Sequence, residues 1–400
     1  MDENWAWKIV YIAAIFSLII MALTYYFISP RESPYFTEEK TQKIAEFKNT
    51  HIEGRKEGKK VWEFFAREGW TEPAQEVTFL YQVSKGFIYK DGKPAVSELS
   101  APRAKAYRHS EIVEAFGVVK AYLDLGKFSS RPKDKSQWTK MVGDYIKYIP
   151  ADKRSEIAGN ITLTKRDSVI NADKIDIDHE RKIARVSGKI RIDRKDGLVN
   201  AGEVEYIGEE EQINAAGGVN LKLKESKVST FIKCSRGILF MDMDKDMALS
   251  GSLEVLQGKK ISIADEGTYS RKQKGLFLRG RTRTVVEKAQ AILQEDTVKK
   301  LGSPEQKDLL RGKTVVSANE IFFSTRTGDA RATGSVEVTQ KGREARSETA
   351  VYDDKNETLT LTGNVQMKKA KEWISAGKVI VSVRDETFEA LGSAEAQFKL

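Results

Sequence analysis

The chain has 400 residues, 31% of them charged, and a net charge of +9; its mean hydropathy is negative, so the bulk of it belongs in water. That charge is modest for the length: it permits contact with phosphates or anionic lipid and is equally accounted for by solvated outer faces. One cysteine, Cys234, excludes an internal disulfide or a cysteine metal cluster.

Ile9 to Ile28 carries no charged residue and, as a helix, spans about 30 Å, the thickness of a bilayer's hydrocarbon core. Aromatic residues bracket the run, as they do at membrane interfaces. Residues 1–30 therefore read as a transmembrane anchor, with Trp7, Ile9, Ile15, Leu18, Ile20, Tyr25 and Tyr26 in or beside the bilayer. A cleaved signal peptide is the rival reading. Against it, the apolar run is too long, and the bulky Tyr25-Tyr26-Phe27 stands where small residues precede a cleavage site. Lys8 before the helix and Arg31, Lys40 and Lys43 after it leave the orientation open. Residues 31–46 are a polar spacer, with Thr37 to Phe47 a candidate short helix.

From residue 47 the text alternates as strands do. His51 to Phe64 reads as a hairpin with a polar tip, and Lys85 to Lys93 as another that turns on Asp91-Gly92. Cys234 falls among strand residues and is expected to be a small buried hydrophobe. Residues 47–157 form a first β domain whose array begins near residue 45. It is interrupted at 127–156, where Trp138, Met141, Val142, Tyr145 and Ile149 fall at helical spacing among lysines. That spacing predicts a basic amphipathic helix, either capping the sheet or lying on a lipid surface.

Residues 158–400 repeat one unit. Gly159, Gly188 and Gly217 are 29 residues apart, as are Gly251 and Gly280, and Gly334, Gly363 and Gly392. After each glycine come apolar residues two apart, such as Ile161/Leu163, Ile190/Ile192, Val336/Val338 and Val365/Met367. The return strand supplies further pairs, such as Ile175/Ile177, Val204/Tyr206 and Val379/Val381. Polar links such as Asp193-Arg194-Lys195-Asp196-Gly197 read as hairpin turns. A fixed period of this kind is one supersecondary unit stacked many times around a shared core. Glycine inside a strand marks a bulge or bend, so the stack should curve. The predicted fold is all-β: a long, curled antiparallel sheet folded on itself, with a second helical insertion at 286–313.

No phosphate loop, nucleophile elbow or dinucleotide fingerprint is present. His51, His109 and His179 are far apart in sequence, and His179 falls in a turn. Nothing here points to an enzyme, a cofactor, a metal or nucleic acid as partner.

Gly334-Ser335-Val336-Glu337-Val338 and Gly363-Asn364-Val365-Gln366-Met367, with Ala376-Gly377-Lys378-Val379-Ile380-Val381 and the 29-residue step, resemble the OstA-like (LptA-like) repeats of lipopolysaccharide-export proteins. The apolar N-terminal run followed by Lys59-Lys60-Val61-Trp62 and Leu99-Ser100-Ala101-Pro102-Arg103-Ala104 resembles the anchored periplasmic LptC type. The likeness covers roughly residues 7–125 and 158–400. It implies a twisted β-jelly roll holding lipopolysaccharide acyl chains, anchored by one pass in the inner membrane with the C-terminal domain in the periplasm. It also implies docking to an inner-membrane permease pair with its ATPase, and end-to-end strand pairing with a soluble bridge protein. The chain departs from that pattern in being about twice the usual length and in its two insertions.

On this reading the groove is lined by Ile161, Leu163, Ile175, Ile177, Ile190, Ile192, Val204, Tyr206, Val336, Val338, Val365, Met367, Val379 and Val381. The same residues would equally form the closed core of a plain β-sandwich. A tethered structural or adhesive β-array, binding protein or glycan on its outer face, is the competing function.

Overall fold

The computed structural model describes residues 17–21 and 43–397, except 73–75, 126–137, 225–228, 258–259, 287–313, 341, 357, 370–371 and 383–386. The chain divides into two units, residues 1–42 and 43–400. In the first, Ser17 to Met21 form a helical turn with Leu18 and Ile20 exposed. Trp7, Ile9, Ile15, Tyr25 and Tyr26 lie outside the described residues. Among those described, no helix is long and apolar enough to cross a membrane.

The second unit is all-β. Its strands are β1 (Ala45–Lys56), β2 (Lys59–Thr71), β3 (Val77–Lys90), β4 (Lys93–Tyr107), β5 (Val113–Leu123), β6 (Thr139–Ile149), β7 (Arg154–Lys165), β8 (Ser168–Asp178), β9 (Ile183–Asp193), β10 (Gly197–Ile207), β11 (Gln212–Ala216) and β12 (Val219–Leu223). They continue as β13 (Thr230–Cys234), β14 (Arg236–Phe240), β15 (Met247–Gln257), β16 (Lys260–Ser270), β17 (Gly275–Val286), β18 (Thr314–Ser324), β19 (Ala330–Gln340), β20 (Arg343–Asp353), β21 (Thr358–Lys369), β22 (Glu372–Ser382), β23 (Thr387–Leu391) and β24 (Glu395–Gln397). All join one antiparallel sheet. Full-length strands pair with their sequence neighbours as a meander, joined by hairpins such as Glu57-Gly58 and Asp91-Gly92. In three places a strand is split in two: β11 with β12, β13 with β14, and β23 with β24 each act as the halves of one strand.

The repeating glycine is the centre of a bulge. Pairing slips between Ala158 and Ile161, and between Thr362 and Val365. There Gly159 and Asn160 have φ of +77° and +44°, and Gly363 and Asn364 have φ of +86° and +44°. Only glycine tolerates the first position readily, because a Cβ on Gly363 would sit 2.5 Å from Glu348 Oε2 as well as in a left-handed conformation. A bulge adds one residue to a strand and bends it. The two halves of a strand therefore present inward sets in different phase to one core.

That phase change corrects one expectation. Residues 139–149 are not the predicted amphipathic helix within 127–156 but β6, paired on both sides to β5 and β7. Met141 and Gly143 face inward before the bulge, Ile146 and Tyr148 after it. Of the residues at helical spacing, Met141 faces inward while Val142, Tyr145 and Ile149 lie on the other face and are partly buried, so apolar residues on both faces of one strand imitated a helix. The array starts at Ala45, as its alternation predicted, so the last residues of the candidate helix at 37–47 are strand. The second insertion lies outside the described residues apart from Val286, the last residue of β17. Cys234 is buried on β13, as expected.

Candidate apolar interior and its seam

The sheet bends at its line of bulges, so its hairpins fall along two edges. We call these lip A, which begins with the β1/β2 hairpin, and lip B, which begins with β2/β3. Along each lip, successive turns are stacked by backbone bonds. On lip B, His179 N donates to Lys153 O (3.0 Å), Gly208 N to Lys182 O (2.9 Å) and Met241 N to Glu211 O (2.8 Å); on lip A, Lys224 N donates to Asp196 O (3.0 Å). The period of the sequence is thus the spacing of turns along a lip.

All fourteen candidate lining residues belong to, or pack on, a single apolar cluster. Their exposure divides them. Ile161, Leu163, Ile175, Ile177, Ile190, Ile192, Val204 and Tyr206 are 0–6% exposed and packed closed. Val336, Val365 and Val379, near the bulge line, are also buried, but Val338, Met367 and Val381, nearer the lips, are only partly so. Val316, Ala330, Leu359 and Ala390 share that intermediate state.

The cause lies in how the lips meet. Lys56 on lip A faces Glu111 on lip B at 3.8 Å. Tyr148 Oη donates to Tyr89 O at 3.3 Å, and Lys90 Nζ to His179 O at 2.8 Å. Further along, Lys165 Nζ donates to Tyr206 Oη at 2.8 Å and lies 3.2 Å from Glu211. Arg194 is held by both oxygens of Asp196, at 3.0 and 3.1 Å, and reaches across to Phe240 O at 2.6 Å. Lys260 on lip A lies in the field of Asp329 and Asp354 on lip B, which opposes the lowering of its pKa by burial.

Most of these contacts join a hairpin on lip A to the hairpin three further along on lip B, counting each split strand once. β1/β2 meets β4/β5, β3/β4 meets β6/β7, and β7/β8 meets β10/β11. A sheet that closes on itself needs such a stagger, and a stagger leaves unmatched halves at both ends. The first lip-B hairpin and the last lip-A hairpin have no counterpart among the described residues. At the N-terminal end Phe47 and Ile52 are partly buried, and a cavity of about 400 Å³ is lined by Ile44, Trp62, Thr78, Tyr107 and Arg108 among others. At the C-terminal end Val338, Met367 and Val381 are partly exposed, Met367 beside the lip-A hairpin that has no counterpart among the described residues. The interior side chains are therefore almost fully buried in the middle and less buried toward both ends.

The seam residues were not identified as a site from the sequence. Arg194 and Asp196 belong to a link that reads as a solvated turn, yet each is 2% exposed. Tyr206 faces the interior as expected, and burial raises its phenol pKa despite the Lys165 charge. His179 is in a turn as expected, but 4% exposed. Its Nε2 lies 2.7 Å from Ser155 Oγ, while Nδ1 is buried without a partner. Burial, aided by the Lys90 charge and opposed by Asp178, pushes the imidazole down from 6.5 to about 4.

Above pH 6.5 both folded and unfolded chains hold His179 neutral and its contribution is constant. As pH falls from 6.5 to 4 only the unfolded chain takes up the proton, so stability drops by about 3 kcal/mol in total. Denaturant titrations at pH 7 and pH 4.5 should show most of that loss in the wild type. His179→Gln should remove this component of the pH slope.

Residues 239–388 match the family model described as LptA/(LptD N-terminal domain) LPS transport protein. The C-terminal strands thus match an LPS-transport domain. No curated protein matches the chain. The LPS-transport match runs from β14 into β23 and so takes in the open C-terminal end, with Val338, Met367 and Val381. The closed segment with Ile161 to Tyr206 precedes it.

Proposed function

We propose that this protein is a membrane-anchored periplasmic component of lipopolysaccharide export that holds acyl chains in its apolar interior and passes them toward the outer membrane. The observation that carries this reading is the partly exposed apolar surface of β18–β22 inside the stretch matching an LPS-transport family. Each methylene kept from water is worth about 0.8 kcal/mol, so a lipid with several chains does not cross an aqueous space unaided at a useful rate. A continuous apolar trough removes that barrier.

On this reading the fold is the twisted jelly roll of that family, and residues 9–28 are its single inner-membrane anchor, with the β unit in the periplasm. The role needs no catalytic group; the energy comes from an ATPase acting through a permease pair. β1 pairs only with β2, and β23 and β24 only with β22, among the described residues. Each end therefore offers an edge for strand pairing, one toward the permease and the other toward a soluble bridge protein. A docked sheet would also supply the lip-B hairpins that the C-terminal lip A lacks.

A photoreactive amino acid at Met367, in living cells, is expected to give adducts with lipopolysaccharide, whereas the adjacent outward Gln366 should give at least tenfold less. Equal labelling at the two positions, or adducts with protein alone at Met367, would instead favour an adhesive array that binds on its outer face.

A further inference from the structure

The transport reading accounts for the open ends but not for the middle of the molecule. Between residues 89 and 240 the inward side chains pack against one another, and charged groups sit across the joint at almost no exposure. Arg194 and Asp196 are each 2% exposed and Lys165 is 6% exposed. A plain sandwich core does not need charge at its rim to be this buried. Apolar residues would cover the rim at lower desolvation cost, since a buried ion pair is often replaceable by hydrophobic groups without loss of stability.

These charges do something an apolar rim would not. They make directional, reversible contacts between two lips that are each continuous without the other. The ladder bonds of β7 to β10 run within the sheet and none crosses the joint. The stacking bonds from Lys153 to Met241 likewise stay on lip B. The polar contacts that bridge the joint here include those of Tyr148, Lys90, Lys165, Arg166 and Arg194. Breaking them together with the apolar packing beneath would part the lips while leaving every strand pair intact. Once parted, the charges face water, where they are well solvated, and the apolar floor is uncovered.

We infer that the seam is a latch: the lips carrying Lys165 and Arg194 part from those carrying Tyr206, Glu211 and Phe240 to admit acyl chains to the closed middle of the interior, and re-form their contacts when it empties. This rests on the transport reading, and deepens it by assigning the middle segment a gated rather than a permanently filled interior. Arg194 is the positioning residue, since Asp196 fixes its guanidinium so that one nitrogen is aimed at Phe240 O. The ligand class is a multiply acylated amphiphile, whose chains replace side-chain packing inside while its polar part stays between the lips.

The test uses the full chain with Cys234→Ser, Lys165→Cys and Glu211→Cys, treated with a short bis-maleimide that ties the lips together. Photoreactive amino acids at Ile192, in the closed segment, and at Met367, in the open end, report lipopolysaccharide. Without the tie, adducts are expected at both positions; with it, the Ile192 adduct should fall at least tenfold while the Met367 adduct is unchanged. An Ile192 adduct undiminished by the tie overturns the latch. So does an Ile192 position that never labels while Met367 does, an outcome that leaves the transport reading standing. Loss of labelling at both positions even without the tie removes the transport reading and the latch together. The variant Arg194→Met with Asp196→Leu keeps the rim filled but releases Phe240 O, and should raise the Ile192 adduct several-fold; an unchanged or lower yield from the folded variant counts against the latch.

Discussion

Asp196→Ala is expected to be among the most damaging single substitutions in the β unit, costing about 3–5 kcal/mol, the usual effect of removing one member of a buried ion pair. Both carboxylate oxygens of Asp196 accept from Arg194, and neither residue has appreciable contact with water. Without the carboxylate, the guanidinium keeps its bond to Phe240 O but stays charged in a place where water cannot solvate it. The loss comes from that stranded charge rather than from the attraction itself. Arg194→Met with Asp196→Leu should therefore lie within about 1–2 kcal/mol of wild type, because it removes both charges and fills the space. Chemical denaturation of the three proteins checks both halves of the expectation. A single mutant as stable as the double would mean that the site is hydrated in solution and the pair is not buried as described.

Gly208→Ala should cost about 3 kcal/mol or more, the upper end of the overpacking range. A methyl group there would fall on the carbonyl oxygen of Leu125, and also lie 3.0 Å from Lys182 O. Both obstacles are backbone atoms, and they belong to opposite lips: Leu125 follows β5 on lip A, while Lys182 lies between β8 and β9 on lip B. Neither can rotate away as a side chain could, so the relief available is separation of the lips. Gly58→Ala is the control, because nothing lies within 4 Å of its added methyl, and only the strain of its left-handed backbone remains, about 1 kcal/mol. Thermal melts would separate the two. Comparable losses at Gly208 and Gly58 would show that the lips are not in contact at Leu125.

Both expectations concern the closed middle of the molecule, whereas the family match and the partly exposed apolar pairs lie toward its C-terminal end. The segments differ in matching, not in chemistry. Lip A near residue 194 finds lip B near residue 240, but the lip-A hairpin after β21 finds no hairpin three further along among the described residues. Met367 is partly exposed for that reason rather than for any property of its own sequence, which closely resembles that of the buried Ile192.

Much of the fold was legible in the chain itself. Strand identity, the inward sets, the hairpins at Glu57-Gly58 and Asp91-Gly92, and the bend at each repeating glycine are local matters, governed by side-chain alternation and by which residues tolerate a left-handed backbone. The same local reading failed at 139–149, because β6 carries apolar residues on both faces, Met141 inward and Val142, Tyr145 and Ile149 outward, and together they fall at a spacing that periodicity alone assigns to a helix. Nothing local could show that Arg194 and Asp196, in a link composed like every other polar turn, would be buried, or that His179 would lose its water. Their burial depends on a contact with a lip tens of residues away. The sequence determined a repeating strand and the direction each side chain faces; tertiary structure decided where the interior is sealed and where it is open, because closure is set by the stagger between two distant edges, and stagger belongs to the whole sheet rather than to any one repeat.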